Sequence, residues 1–441
     1  MLRVRIAPVI LSATLTLSSA TLAAPVDLLK AFDDAAHHDP TYQSQQAQYQ
    51  ATRMQLPETY SALLPQLDIT AAIDREWDHV KGTGSGTYTT HNYGLSATQS
   101  IFDWNLIRRI SREAFTVRSA ATELAYNQQQ LIIRTAAAYY RVLEQQDILR
   151  YTQQQVGILK RQLDQTEELF NHKEATITAV DQVKGAYFDR LNDLVEAKLD
   201  LYVSKQELST ITSVQYTSFS KLRSYFPLIT PKPKALSTWE QNSTQHNLNI
   251  NAARFTVEAA KRNISAQRGG YLPVINAQGG YTRTKEPTTD TSGLTTQNTR
   301  DANIGLGLTW RVFQGGLTIA QVKQAEANYQ QSIADMQGDY LNTLSQARSA
   351  YEGIIRGREG ILHARAAINW NTKALMHGQE AFKSGETTVT DLLEIQDRLF
   401  DSENKYARDT YRYLNDILLL KQAAGSLNVH DLAIQNQWLR Q

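Results

Sequence analysis

The sequence predicts a mixed fold: membrane-crossing β-strands joined to long α-helical hairpins, built twice along one chain. Three observations predict it. Two pairs of segments alternate apolar and polar residues at period two. Helical runs carry a seven-residue apolar repeat over a length that no globular core accommodates. A shift of 212 residues lays the first half on the second.

The chain has 441 residues and no cysteine. Its hydrophobic content is 41%, and its mean hydropathy is −0.43. At the N-terminus Arg3 and Arg5 precede an apolar run, Ile6 to Leu17, that ends in Ser18, Ser19 and Ala20. This reads as a secretory signal peptide, residues 1–23; an N-terminal anchor is the alternative, for which the run is short. Without Arg3 and Arg5 the chain carries 43 basic and 44 acidic side chains, so charge gives no case for nucleic acid. Without cysteine, export brings neither disulfides nor a lipidated anchor. No later stretch is apolar for 18 residues, which leaves a β-barrel as the route into a membrane.

The elements follow in order. Val26 to Met54 reads as one helix, and Pro57 and Pro65 then disturb the pattern. Past Pro65, Leu67, Ile69, Ala71, Ile73 and Trp77 alternate with polar residues as a strand. Lys81 to Thr87 reads as a flexible loop, and alternation returns at Tyr93, Leu95 and Ala97. From Asp103 to Phe170 there is no proline, and a helix of that length extends about 100 Å. Val142, Leu149, Val156, Leu163 and Phe170 keep strict heptad spacing along it. A break at Asn171, His172 and Lys173 precedes a second helix from Thr178 to about Ser213. Pro227, Pro231 and Pro233 mark a linker, Tyr225 to Ser237.

The plan then repeats. Asn247 to Arg268 is helical, and Pro273 takes the part of Pro65. Strands at Ile275–Tyr281 and Ile304–Val312 flank a Thr-rich loop, Thr284 to Asp301. A helix from Gly316 to Lys383 ends at Gly385, and Thr388 offers the N-cap of the next. The divisions are therefore 1–23 signal peptide, 24–225 first repeat, 226–246 linker, 247–425 second repeat and 426–441 tail.

Each repeat supplies two strands of about ten residues, the length that crosses a bilayer when tilted. Four strands cannot close a barrel, so the chain must oligomerise; dimers give eight strands and trimers twelve. A soluble four-stranded sheet capping a bundle is the plainer alternative. The helices' thin apolar seams, flanked by Gln, Asn, Thr and Ala, suit staves of a hollow cylinder, or an ordinary solvated coiled coil. No Gly-Lys-Ser/Thr phosphate loop and no nucleophile motif occurs. His37 and His38 are adjacent, which is not metal-ligand spacing on a helix face. The expectation is no enzyme, no cofactor and no metal.

Particular stretches resemble the TolC family of outer-membrane efflux and secretion channels. They are LLPQL at 63–67, QSIFD at 99–103, TAAAYYRVLEQQDIL at 135–149 and RQLDQTEELFN at 161–171. The second half adds LPVI at 272–275, VFQGG at 312–316, SGETTVTDLLEIQ at 384–396 and LKQAAGSLN at 420–428. The resemblance implies a homotrimer whose twelve-stranded β-barrel, four strands per chain, sits in outer-membrane lipid. A long α-helical coiled-coil barrel would continue from it across the periplasm. The inner end would close at the hairpin tips and open on a periplasmic adaptor and an inner-membrane RND, ABC or MFS transporter.

The resemblance also carries site residues. Asp391 and Glu394 match two acidic positions that ring the inner constriction. Phe382 matches an aromatic of the closing links, lacking its usual hydroxyl. Thr387 stands where a linking Arg is expected, and Ala179 where its Asp partner is expected. Tip residues Phe170, His172, Lys173, Phe382, Gly385 and Thr387 are the candidate gate and docking surface, or merely solvated turns. Pro65, Pro273, Gly315 and Gly316 are the helix–strand turns. Drug efflux and type I protein secretion both stay open, and a secreted coiled-coil scaffold or adhesin is the rival reading.

Overall fold

The computed structural model describes residues 25–80, 84–290 and 293–440. The signal-peptide segment lies outside the described residues, as do 81–83 and 291–292. The chain begins with α1 (Leu28–His38) and α2 (Pro40–Ser61), then β1 (Gln66–Val80) and β2 (Gly84–Phe102). The long α3 (Trp104–Asn171) turns back into α4 (Ile177–Thr212). The second half runs α5 (Leu236–His246), α6 (Leu248–Arg268), β3 (Val274–Asp290), β4 (Gly293–Thr309), α7 (Leu317–Lys383) and α8 (Val389–Ala423), followed by α9 (Val429–Asn436). The duplicated plan is thus present element for element.

The strands form one antiparallel sheet in the order β1-β2-β3-β4. Register places Ile69 opposite Leu95, Leu95 opposite Tyr281, and Ala277 opposite Leu306. One face therefore carries Leu67, Ile69, Ile73, Leu95, Ile304, Leu306 and Leu308, all exposed. The other face carries Asp68, Thr70, Asp74, Asn92, Thr282 and Asn303 by the same alternation. An exposed apolar face backed by a polar one is the arrangement of a sheet solvated by lipid outside and water inside.

The strands are longer than the ten residues expected, at 15, 19, 17 and 17. The expected loops shrink accordingly. Residues Gly84–Thr87 belong to β2, and Thr284–Asp290 and Gly293–Asp301 extend β3 and β4. The reason is compositional: Thr pairs well in strands, but with both faces polar the alternation that signals a strand vanishes. The helix expected over Val26 to Met54 is two helices. Asp39 accepts a hydrogen bond from the Tyr42 amide at 2.9 Å, capping α2, and Pro40 starts it. Pro57 lies inside α2 rather than ending it.

The main core surrounds the middle of α3. Tyr139 is fully buried, and its hydroxyl donates to the Val26 and Ser220 carbonyls, each at 3.0 Å. Leu28, Leu131, Leu143, Leu208, Tyr413, Leu418 and Leu432 fill the space around it. The segment expected to be a tail contributes α9, whose Gln435 meets the Tyr140 hydroxyl. Beyond this belt α3 packs on α4 and α8, and α7 packs on α8. The helices α4 and α7 form the two flanks of the bundle.

Candidate functional site: the paired hairpin tips

The two tips share one backbone design. In the first, the Lys173 amide donates to Phe170 O at 2.9 Å and Glu174 to Leu169 O at 2.8 Å. In the second, Gly385 donates to Phe382 O at 3.2 Å and Glu386 to Ala381 O at 2.8 Å. Both turns need a left-handed residue, with φ of 63° at Lys173 and 78° at Gly385. Glycine takes that conformation freely, whereas lysine is strained there. Thr176 and Thr388 then cap α4 and α8 from equivalent positions.

The side chains differ. Phe382 turns inward and packs with Leu375, Val389, Leu392, Val180 and Val183 in a cluster that unites both hairpins. Its counterpart Phe170 is exposed, as are His172 and Lys173. Phe382 thus serves the tip's interior, and the outward-facing apolar ring belongs to the first tip.

Asp391 and Glu394 are both exposed just past the second turn. Asp391 Oδ2 accepts from the Thr388 hydroxyl at 2.6 Å and the Thr388 amide at 3.2 Å. In return the Asp391 amide donates to Thr388 Oγ1 at 3.2 Å, which completes a capping box. Thr387, in place of the expected Arg, also reaches Asp391 Oδ2 at 3.4 Å. The Thr388 hydroxyl, then its amide, hold the Asp391 carboxyl below its ordinary value. Within the chain Asp391 is therefore an ionised cap. Glu394 meets Arg398 at 2.6 Å, a basic neighbour on the same helix that the sequence reading passed over.

The first tip has Ala179 where the box would need an acid, and Ala179 packs against the shared cluster instead. Asp181 is exposed and stands apart from it. The hairpins are tied elsewhere. Arg190 of α4 reaches Asp397 of α8 at 2.8 Å and Asp193 at 2.8 Å, and its guanidinium lies 4.1 Å from the centre of the Phe400 ring. Thr390 adds a hydroxyl contact to Gln182 at 3.5 Å. Arg190, Asp397 and Phe400 were missed because pairing across 207 residues leaves no local spacing signal.

At the other end of the helices Pro65 joins α2 to β1, and Pro273 follows a single turn, Gly269–Tyr271, into β3. Gly315 and Gly316, at φ of 59° and 85°, reverse the chain from β4 into α7. These four positions lie at the helix–strand junctions.

A lipid-faced antiparallel sheet continuous with helices about 100 Å long defines a channel protein of the outer membrane that reaches deep into the periplasm. The chain belongs to the outer membrane efflux protein family, whose sequence model matches residues 31–213 and again 239–426. The double match coincides with the two repeats.

It is 28% identical to the outer membrane protein TolC of Vibrio cholerae serotype O1, over 99% of both chains. It is 27% identical to TolC of Escherichia coli strain K12, over 99% of this chain and 89% of that one. The alkaline protease secretion protein AprF of Pseudomonas aeruginosa is 21% identical over 92% of this chain and 86% of its own. Among solved structures, the Campylobacter jejuni CmeC outer membrane channel superposes with a TM-score of 0.78 at 15% identity, over 94% of this chain and 90% of that one. The open-state MtrE outer membrane channel of Neisseria gonorrhoeae gives 0.73 at 16%, over 91% and 90%. This chain is an outer-membrane channel of the efflux and secretion type.

Proposed function

We propose that three copies close into one duct that forms the outer exit of a tripartite efflux pump or a type I secretion system. The observation that carries this is the sheet: its apolar face ends at β1 and β4, each paired on one side only among the described residues. An open edge in lipid leaves backbone groups without partners, so β4 of one copy must meet β1 of the next. The flanks of the helical bundle tell the same story. Exposed Phe188, Val195, Leu199 and Tyr202 on α4, and Leu362, Trp370 and Met376 on α7, are apolar surfaces awaiting a neighbour.

The duct is passive, and an inner-membrane transporter supplies the energy. Asp391 and Glu394 converge near the axis and set a cation-favouring mouth. The outward tip residues Phe170, His172 and Lys173, with Gly385 and Thr387, offer the adaptor its seat. Purified protein should run as a heat-resistant trimer. A photo-crosslinker at Lys173 or Glu386 should capture a periplasmic adaptor in cells. A monomeric product, or labels that capture no periplasmic protein, would remove the proposal.

A further inference from the structure

We propose that the outward face of the sheet binds the phosphate of anionic lipid headgroups through Arg75, Arg283, Lys285 and Arg300. This goes beyond the duct's transport role and rests on its membrane placement alone. Strand register sorts the charges. Arg75 aligns with Thr89, Arg283 with both Tyr93 and Arg300, and Lys285 with His91, all on the face that carries Ile69, Leu95 and Ile304. The acids Asp68, Asp74, Glu76, Glu286 and Asp301 fall on the opposite, water-lined face. Among the described strand side chains no carboxylate shares the basic face.

Two features demand an anion there. Arg283 and Arg300 are directly opposed across β3 and β4, an arrangement that repels unless a counter-charge lies between. Their row also follows immediately on the row of Ile69, Leu95, Tyr281 and Ala302, so on β3 and β4 it sits at the rim of the apolar residues. Cations at that depth on the lipid face meet headgroups rather than acyl chains. Arg283 is partly oriented already, donating to Asn298 at 3.0 Å. On β1, two rows further out, Arg75 lies 5.7 Å from the centre of the Trp77 ring, which gives that outlying cation an indole neighbour. A lipid phosphate bridging the opposed pair supplies the missing charge while its chains lie along the apolar belt. A free phosphate would lack that second contact.

The test reconstitutes the full-length protein in phosphatidylcholine bilayers and titrates in chain-brominated phosphatidylglycerol, reading tryptophan quenching. Brominated phosphatidylcholine is the neutral control. The wild-type protein should prefer the anionic lipid. Joint Arg75→Gln, Arg283→Gln and Arg300→Gln should lower that preference about a hundredfold. Inner-face substitutions Glu76→Gln with Asp301→Asn should leave it unchanged. Should the triple variant fail to assemble, Arg283→Gln alone, which relieves the opposed pair, should lower the preference about fivefold. Equal binding of the two lipids, preference surviving these substitutions, or displacement by millimolar inorganic phosphate would each overturn the assignment.

Discussion

Arg190→Gln cuts the tie between the two hairpins and leaves the tip's apolar cluster in place. The guanidinium contributes in two ways. Its pair with Asp397 is screened, since the Asp397 side chain is 63% exposed, and contributes about 0.5 kcal/mol. Its stacking on Phe400 is better shielded, with the Arg190 side chain only 16% exposed, and contributes about 1 kcal/mol. Together these shift the balance between joined and separated hairpins by about tenfold per chain. Separation frees α8, with Asp391 and Glu394, to move without α4. Single-channel recording in planar bilayers reads this as time in the higher-conductance level, expected to rise about tenfold. Arg190→Lys keeps the charge, loses the planar stacking and should fall between. Unaltered gating of an intact Arg190→Gln trimer, with Phe400→Leu equally silent, would refute the tie.

Two further predictions concern the hairpin tips, and a third concerns the middle of the bundle, where Glu403 faces Arg150. Asp391→Ala with Glu394→Ala should weaken cation preference and divalent-ion block in planar bilayers; unchanged reversal potentials would remove the acidic mouth. The turns invite a reciprocal exchange. Gly385→Lys should destabilise its hairpin by about 1 kcal/mol, and Lys173→Gly should stabilise the other by a similar amount, read by denaturant unfolding. Burial pushes the Glu403 carboxyl up from 4.5 to about 7, against the pull of Arg150. The folded state thus binds more protons than the unfolded state through that window, so stability falls as pH rises across it. Glu403→Gln should abolish that slope, of order 1 kcal/mol after screening.

Heptad spacing and the 212-residue shift carried most of the architecture, because duplicated helices this long leave a signal at every turn. The αL position at Gly385 and the Thr388 cap were legible for a local reason: both motifs fit within four residues. The outer halves of β3 and β4 were not, since Thr284 to Asp301 is polar on both faces. Pro40 was overlooked as a helix start, and the one helix became two. At the tip, sequence identified Asp391 but not its bond to Thr387, nor the inward turn of Phe382. Arg190 with Asp397 depends on how two distant hairpins pack, which no spacing along either helix encodes.

The sorted charges also act while the sheet is being built. Side chains alternate at period two, so a one-residue slip of any strand exchanges its faces. A slipped β1 would turn Asp74 and Glu76 toward acyl chains and Arg75 toward the lumen. A slipped β3 would do the same with Glu286 and Arg283. Wherever small residues such as Ala277, Gly279 and Ala302 on the apolar face leave packing too weak to enforce alignment, the charges reject the misaligned pairings. The sheet proofreads its own assembly, and neutralising its acids and bases together should yield a barrel that pairs in more than one way.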